Sequence, residues 1–280
     1  MEIRAGGVTV HAVEHGAGRT VLVLHGAGVD HREAEACFEP ALAHVAGLRR
    51  IYPDLPGMGR TAAPAALRSA DDVVDTLLRF ADEVTGGTAY LLVGHSAGAH
   101  FARAMAARSP ERVAGLALVC PLLPGVREVP EHRVVVGPGE TREPGEPGEP
   151  GESGEAGESG DFGDDVFRSY FVIQTAEMLE RYRRYVEPAA ALVDHAALER
   201  IGERWALADE PVPAYPGPTA VVAGRLDSTV GHAAAVDLAR HYPHASLAVV
   251  DDAGHALPHE QPELLRALLA EWLTRVERAL

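Results

Sequence analysis

The run Gly94-His95-Ser96-Ala97-Gly98 constrains this chain more than any other feature, because it sits where an apolar strand pattern over 89–93 gives way to a helical one. A serine flanked at two positions by glycine at such a junction fits the G-x-S-x-G turn, which bends sharply and lifts the hydroxyl clear of a sheet. A larger residue at Gly94 or Gly98 is expected to crowd that turn. The turn also requires strands that feed helices, and the surrounding pattern supplies them.

Apolar runs over 8–13, 20–25, 49–53, 89–93 and 113–119 read as strands, with helical periodicity over 32–45, over 69–84 and after Ser96. Alternation of this kind predicts an α/β fold with a mostly parallel central sheet flanked by helices. The rhythm stops after Pro124 and returns at 219–223, followed by a helix over 232–241, a strand over 246–250 and a helix over 261–276. Residues 1–124 and 217–280 are therefore expected to form one core domain, and 125–216 an insertion. Within the insertion, 167–207 is helical in character, with Met178, Leu179, Tyr182, Tyr185 and Val186 at i, i+3 and i+4 spacings, as a small helical cap requires.

The formal charge of -16 excludes the basic stripe that nucleic-acid binding needs. Much of that charge lies in one place: between Gly139 and Asp165 there are seven glutamates and three aspartates against Arg142 alone. Glycine recurs there at every third position from Gly145 to Gly163, but so much like charge opposes a triple helix, and the composition predicts a disordered acidic loop over 137–165. Two cysteines make no disulfide framework, and the N-terminus lacks the layout of a signal peptide. A cytoplasmic protein, monomeric or homodimeric, without membrane segments is the expectation. There is no G-x-G-x-x-G and no G-K-[ST], so nucleotide binding is not indicated.

A serine alone is a weak nucleophile and needs a base and a group to orient it. His255 follows the last predicted strand, and Asp227 follows the strand over 219–223, both at carboxyl ends where open α/β sheets place their sites. Asp251 and Asp252 rival Asp227 by type, but they lie within four residues of His255 and would have difficulty reaching the far side of its ring. His25-Gly26-Ala27-Gly28 forms a tight turn after a strand, and the N–H groups of Ala27 and Ala97 are the expected oxyanion donors, Ala97 with the helix dipole behind it. In the insertion, Phe167, Tyr170, Phe171, Tyr182, Tyr185 and Trp205 are candidates either for a pocket wall or for core. His95 and His100 flank the serine with the same ambiguity.

Taken in order, His25-Gly26, Asp54-Leu55-Pro56-Gly57-Met58-Gly59, Gly94 to Gly98, Gly224-Arg225-Leu226-Asp227 and Ala253-Gly254-His255 resemble the landmarks of the α/β-hydrolase superfamily. The resemblance implies about eight strands, a cap inserted after the sixth, and a Ser-His-Asp site with no cofactor and no metal. Related dehalogenases and epoxide hydrolases carry an aspartate nucleophile, so Ser96 points elsewhere. The function implied is cleavage of an ester-like bond (carboxylic ester, lactone or thioester) of a small apolar substrate through an acyl-enzyme. The alternatives are a carbon–carbon bond hydrolase or a perhydrolase with the same triad, or a small-molecule receptor on the same fold.

Overall fold

The computed structural model describes residues 1–125, 128–138, 162–210 and 212–279. Most of the glycine-glutamate repeat, at 139–161, lies outside the described residues. Eight strands form one sheet in the order β1-β2-β4-β3-β5-β6-β7-β8. They are β1 (Glu2–Ala5), β2 (Val8–Gly16), β3 (Arg19–Leu24), β4 (Leu48–Pro53), β5 (Tyr90–His95), β6 (Val113–Val119), β7 (Thr219–Gly224) and β8 (Ala245–Val250). β2 runs antiparallel to β1 and β4, and every other pairing is parallel. β1, which no sequence pattern announced, is a four-residue edge strand with alternating exposed charge.

The central strands are buried on both faces, which is why they read as continuous apolar runs rather than as alternation. Successive side chains divide between the two sides. Leu22, Leu24, Leu92, Leu116 and Leu118 join one core with α2 (Ala70–Thr85) and α3 (Ala97–Arg108). Val21, Val23, Leu91, Val93, Ala117 and Val119 join the other, with α1 (His31–Leu42) and the last helix, Pro262–Ala279. Local chemistry starts these helices: Asp30 caps α1 by accepting from the Arg32 N–H, and Ser69 caps α2 by accepting from the Asp72 N–H.

Between β6 and β7 the chain forms α4 (Asp165–Tyr170), α5 (Ala176–Arg181), a π-helical turn (Tyr182–Val186), α6 (Glu187–Ala190) and α7 (His195–Gly202). The sequence predicts helix here, and it is delivered as short pieces, with Pro188 opening one of them. Phe167, Phe171, Met178, Leu179, Val186 and Ala189 form a separate core that also takes in Val29 and Ala256 from loops at the carboxyl ends of β3 and β8. These helices thus stand over the strand ends where Ser96 emerges. α8 (Ala233–His241), a single turn α9 (Leu257–Glu260) and α10 (Pro262–Ala279) complete the order. Among the described residues no helix is long and apolar enough to cross a membrane.

Candidate active site

Ser96 sits between β5 and α3 with φ 54 and ψ -117, a left-handed backbone that a non-glycine residue rarely holds. The two flanking glycines explain how the turn closes. A Cβ on Gly94 would lie 2.5 Å from the Gly98 carbonyl oxygen, and one on Gly98 only 2.3 Å from the Leu24 carbonyl oxygen. Neither contact is tolerable.

Asp227 and His255 lie just beyond β7 and β8, and both converge on the serine. The His255 Nδ1–H donates to Asp227 Oδ2 at 2.8 Å. A carboxylate can only accept, so the proton belongs on Nδ1 and leaves Nε2 bare to accept the Ser96 hydroxyl at 2.9 Å. The second Asp227 oxygen accepts the N–H groups of Thr229 at 2.9 Å and Val230 at 2.8 Å. Burial pushes this carboxyl up, but His255 and the two amides outweigh it and hold it below its ordinary range. Asp251 instead pairs with Arg225 at 2.5 Å on the surface.

The turn after β3 is anchored from behind. His25 Nε2 accepts the Leu55 N–H at 2.9 Å, so its Nδ1–H donates to the Gly26 carbonyl at 2.7 Å. Because a trans peptide points its C=O and N–H in opposite directions, this bond turns the Ala27 N–H away from His25. Gly26 lies against the serine, with a Cβ there falling 3.8 Å from Ser96 Oγ. Ala97 opens α3, where the first N–H groups of a helix lack intrahelical partners. Both expected donors therefore flank Ser96, and the arrangement can raise the reactivity of a hydroxyl and receive a negative oxygen beside it.

A cavity of about 400 Å³ opens onto these groups, lined by Gly26, Ala27, Gly28, Val29, His95, Ser96, His255 and, from the β6–β7 connection, Asp164, Val166, Tyr170, Tyr182, Val186, Glu187 and Ala190. Of the aromatic candidates, Tyr170 and Tyr182 reach the cavity, Tyr170 with its ring edge-on to His255 at 5.8 Å. Phe167 and Phe171 are core, Tyr185 lines a separate groove beside α1, and Trp205 stacks on His100 at 4.6 Å. His95 lines the cavity and His100 does not.

Two buried acids escaped the sequence reading. Glu33 accepts from His259 Nε2–H at 3.2 Å and faces His95 Nδ1 at 3.8 Å. Burial opposes its charge, but the bond from His259 and the neighbouring histidines hold the carboxyl down at about 2. Burial in turn drives His95 down to about 4, and its Nε2–H donates to the His255 carbonyl at 3.2 Å. Glu260 accepts the N–H groups of Val172 at 2.6 Å, Ile173 at 3.2 Å and Gly254 at 2.8 Å. No local pattern marks either acid, because only the tertiary fold decides that each is enclosed.

Cys37 and Cys120 are buried free thiols, raised far above their ordinary range first by burial, as core residues rather than thiolates. Three groups of described residues bring ligand-type atoms within 4.8 Å: His11 with His31 and Asp54, Glu33 with Cys37 and His259, and His95 with Cys120 and His255. Internal hydrogen bonds engage members of each: His31 to Asp54 at 2.7 Å, His259 to Glu33, and His255 to Asp227.

A mostly parallel sheet with a strained serine turn after its fifth strand, and with Asp227 and His255 beyond its last two, is the architecture of an α/β hydrolase. The chain belongs to the α/β-hydrolase fold family, which it matches over residues 19–262, and it is an enzyme of that family. It is 27% identical to the 2-hydroxy-6-oxononadienedioate/2-hydroxy-6-oxononatrienedioate hydrolase 2 of Pseudomonas putida, over 91% of this chain and 87% of that protein. It is also 27% identical to the 2-hydroxymuconate semialdehyde hydrolase of Pseudomonas sp. strain CF600, over 99% of this chain and 95% of that protein. An α/β-superfamily hydrolase structure from Oenococcus oeni superposes with a TM-score of 0.82 at 24% identity, covering 99% of each chain.

Proposed function

We propose that this enzyme hydrolyses the carbon–carbon bond beside a ketone in a small unsaturated substrate, with Ser96 as nucleophile, His255 as general base and acid, and Asp227 holding the imidazole. The observation that carries the chemistry is the unbroken line from Asp227 Oδ2 through His255 to Ser96 Oγ at 2.8 and 2.9 Å. The bond type rests on the similarity to one hydrolase named for 6-oxo dioates and another named for a semialdehyde. A ketone carbonyl bears only carbon, so hydrolysis there must break a carbon–carbon bond.

The geometry supports the following cycle. Ser96 Oγ adds to the carbonyl carbon as His255 Nε2 takes its proton, and the N–H groups of Ala27 and Ala97 bind the oxyanion. On collapse the carbon–carbon bond breaks, its electron pair leaves into the conjugated system, and His255 returns the proton to that carbon. Water activated by His255 then releases the acid from Ser96. Unsaturation is needed because a carbon leaving group departs only when its charge is delocalised. In this reading residues 125–216 form a cap over a core of 1–124 and 217–280, and supply the wall carrying Tyr170 and Tyr182.

Ester cleavage is the second reading, favoured by the same hydrogen-bonded line, since an alkoxide leaves more readily than a carbanion and asks nothing further of the site. An uncharged, conjugated enol ketone ending in a phenyl ketone separates the two. Release of benzoate by the native enzyme but not by Ser96→Ala supports carbon–carbon cleavage. Hydrolysis of p-nitrophenyl acetate with no benzoate release supports an esterase instead.

A further inference from the structure

The cavity above Ser96 carries a charge pattern that narrows its substrate. Asp164 and Glu187 are two of the residues lining it, and the lining contains no arginine among the described residues. The chain has no lysine at all.

The two carboxylates are held differently. Asp164 caps α4, accepting the Phe167 N–H at 2.8 Å on one oxygen and the Tyr182 hydroxyl at 2.8 Å on the other. Asp164 is exposed; its slight desolvation pushes it up, but the Phe167, Tyr182 and Val166 bonds and the neighbouring Arg168, which lies outside the lining, hold it below its ordinary range. Glu187 opens α6 and is exposed, next to the lining residue Val186. Tyr182, also in the lining, spends its hydroxyl on Asp164, and Tyr170 stands beside His255. A lining with aromatic rings and two carboxylates but no cation suits a cationic or neutral group and repels an anion.

We infer that the substrate entering this cavity is uncharged or carries a cationic group at the end remote from the reacting carbonyl, and that carboxylated substrates are excluded. This departs from the relatives, whose names specify a dioate in one case and a semialdehyde of an acid in the other. It rests on the reading that Ser96 is the reacting residue.

The test is a set of three p-nitrophenyl esters of phenylacetic acid bearing a 4-methyl, 4-carboxylate or 4-trimethylammonio group, which match in shape and differ in charge. For the native enzyme the carboxylate ester is expected to show a kcat/KM at least about tenfold below the methyl ester, and the ammonium ester one equal to or above it. The deficit should shrink severalfold in about 1 M salt, where exposed charges are screened within roughly 3 Å. It should shrink again in Glu187→Gln and further in Glu187→Lys. A carboxylate ester turned over as well as the methyl ester overturns the inference, and so does a deficit that neither salt nor the Glu187 variants move. If none of the three turns over, their protection of Ser96 against a fluorophosphonate label reads binding directly. Weakest protection by the carboxylate supports the inference, and equal protection overturns it. Hydrolysis that persists in Ser96→Ala defeats the assignment of Ser96 and leaves the ranking by charge to be judged separately.

Discussion

Glu260 accepts the backbone N–H of Gly254 at 2.8 Å, and so its carboxylate grips the residue immediately before His255. Its other oxygen takes the N–H groups of Val172 and Ile173, just past the cavity residue Tyr170. One buried side chain therefore joins the His255 loop to the wall of the pocket. Glu260→Ala leaves the enclosed N–H groups of Val172 and Gly254 and the part-buried one of Ile173 without their partner, at about 1–3 kcal/mol for each enclosed donor. The expected result is a loss of at least roughly 3 kcal/mol in urea unfolding, with faster hydrogen exchange at Gly254 and Val172.

Burial raises the Glu260 carboxyl to about 7, whereas Glu33 and Asp54 are held down at about 2. The signs are opposite. A carboxyl lowered in the fold contributes stability above its unfolded value, 4.5 for Glu33 and 3.8 for Asp54, and loses it as pH falls toward 2. A raised carboxyl contributes below its unfolded value of 4.5 and loses that contribution as pH climbs to about 7. Urea midpoints measured from pH 2 to 8 should rise steeply out of acid. In Glu33→Gln that acid limb flattens, and in Glu260→Gln the decline between about 4.5 and 7 disappears.

Gly98→Ala places a methyl 2.3 Å from the Leu24 carbonyl oxygen, a contact that backbone cannot yield without moving β3 or the serine turn. Hydrolytic activity is expected to fall by two orders of magnitude or more, and stability by about 2 kcal/mol, within the range for overpacked sites. Gly202→Ala, on the open surface of α7, meets nothing within 4 Å and serves as the control, with little change in either measurement.

Asp227→Asn keeps the shape but removes the charge, and its amide can present a donor toward His255 Nδ1 and so reverse the tautomer. The expected loss in kcat is about three to four orders of magnitude, with KM nearly unchanged. Asp251→Asn, which breaks only a surface pair with Arg225, should leave kcat within twofold.

Much of the serine line was legible because its residues obey local rules. Ser96 needs small neighbours, and Asp227 and His255 need to end strands, and each requirement leaves a mark in the sequence. What the sequence withheld depends on tertiary packing. Phe167, Tyr170, Phe171 and Tyr182 all pack in the same insertion core, yet only Tyr170 and Tyr182 also line the cavity, and no spacing separates them. In sequence His25 marks only a turn, and its grip on the Gly26 carbonyl depends on the Leu55 N–H that the fold sets beside it. β1 is too short, and too charged on its exposed side, to stand out from a loop. Glu33 and Glu260 look like ordinary surface acids until the fold encloses them.

Every step of the proposed cycle depends on Ser96 being the reacting nucleophile, activated by His255. Labelling with a fluorophosphonate, followed by peptide mass spectrometry, tests it most directly. The expected result is a single adduct on Ser96 that is absent in Ser96→Ala and forms at least a hundredfold more slowly in His255→Ala. An adduct on another residue, or labelling that proceeds unchanged without His255, would contradict it.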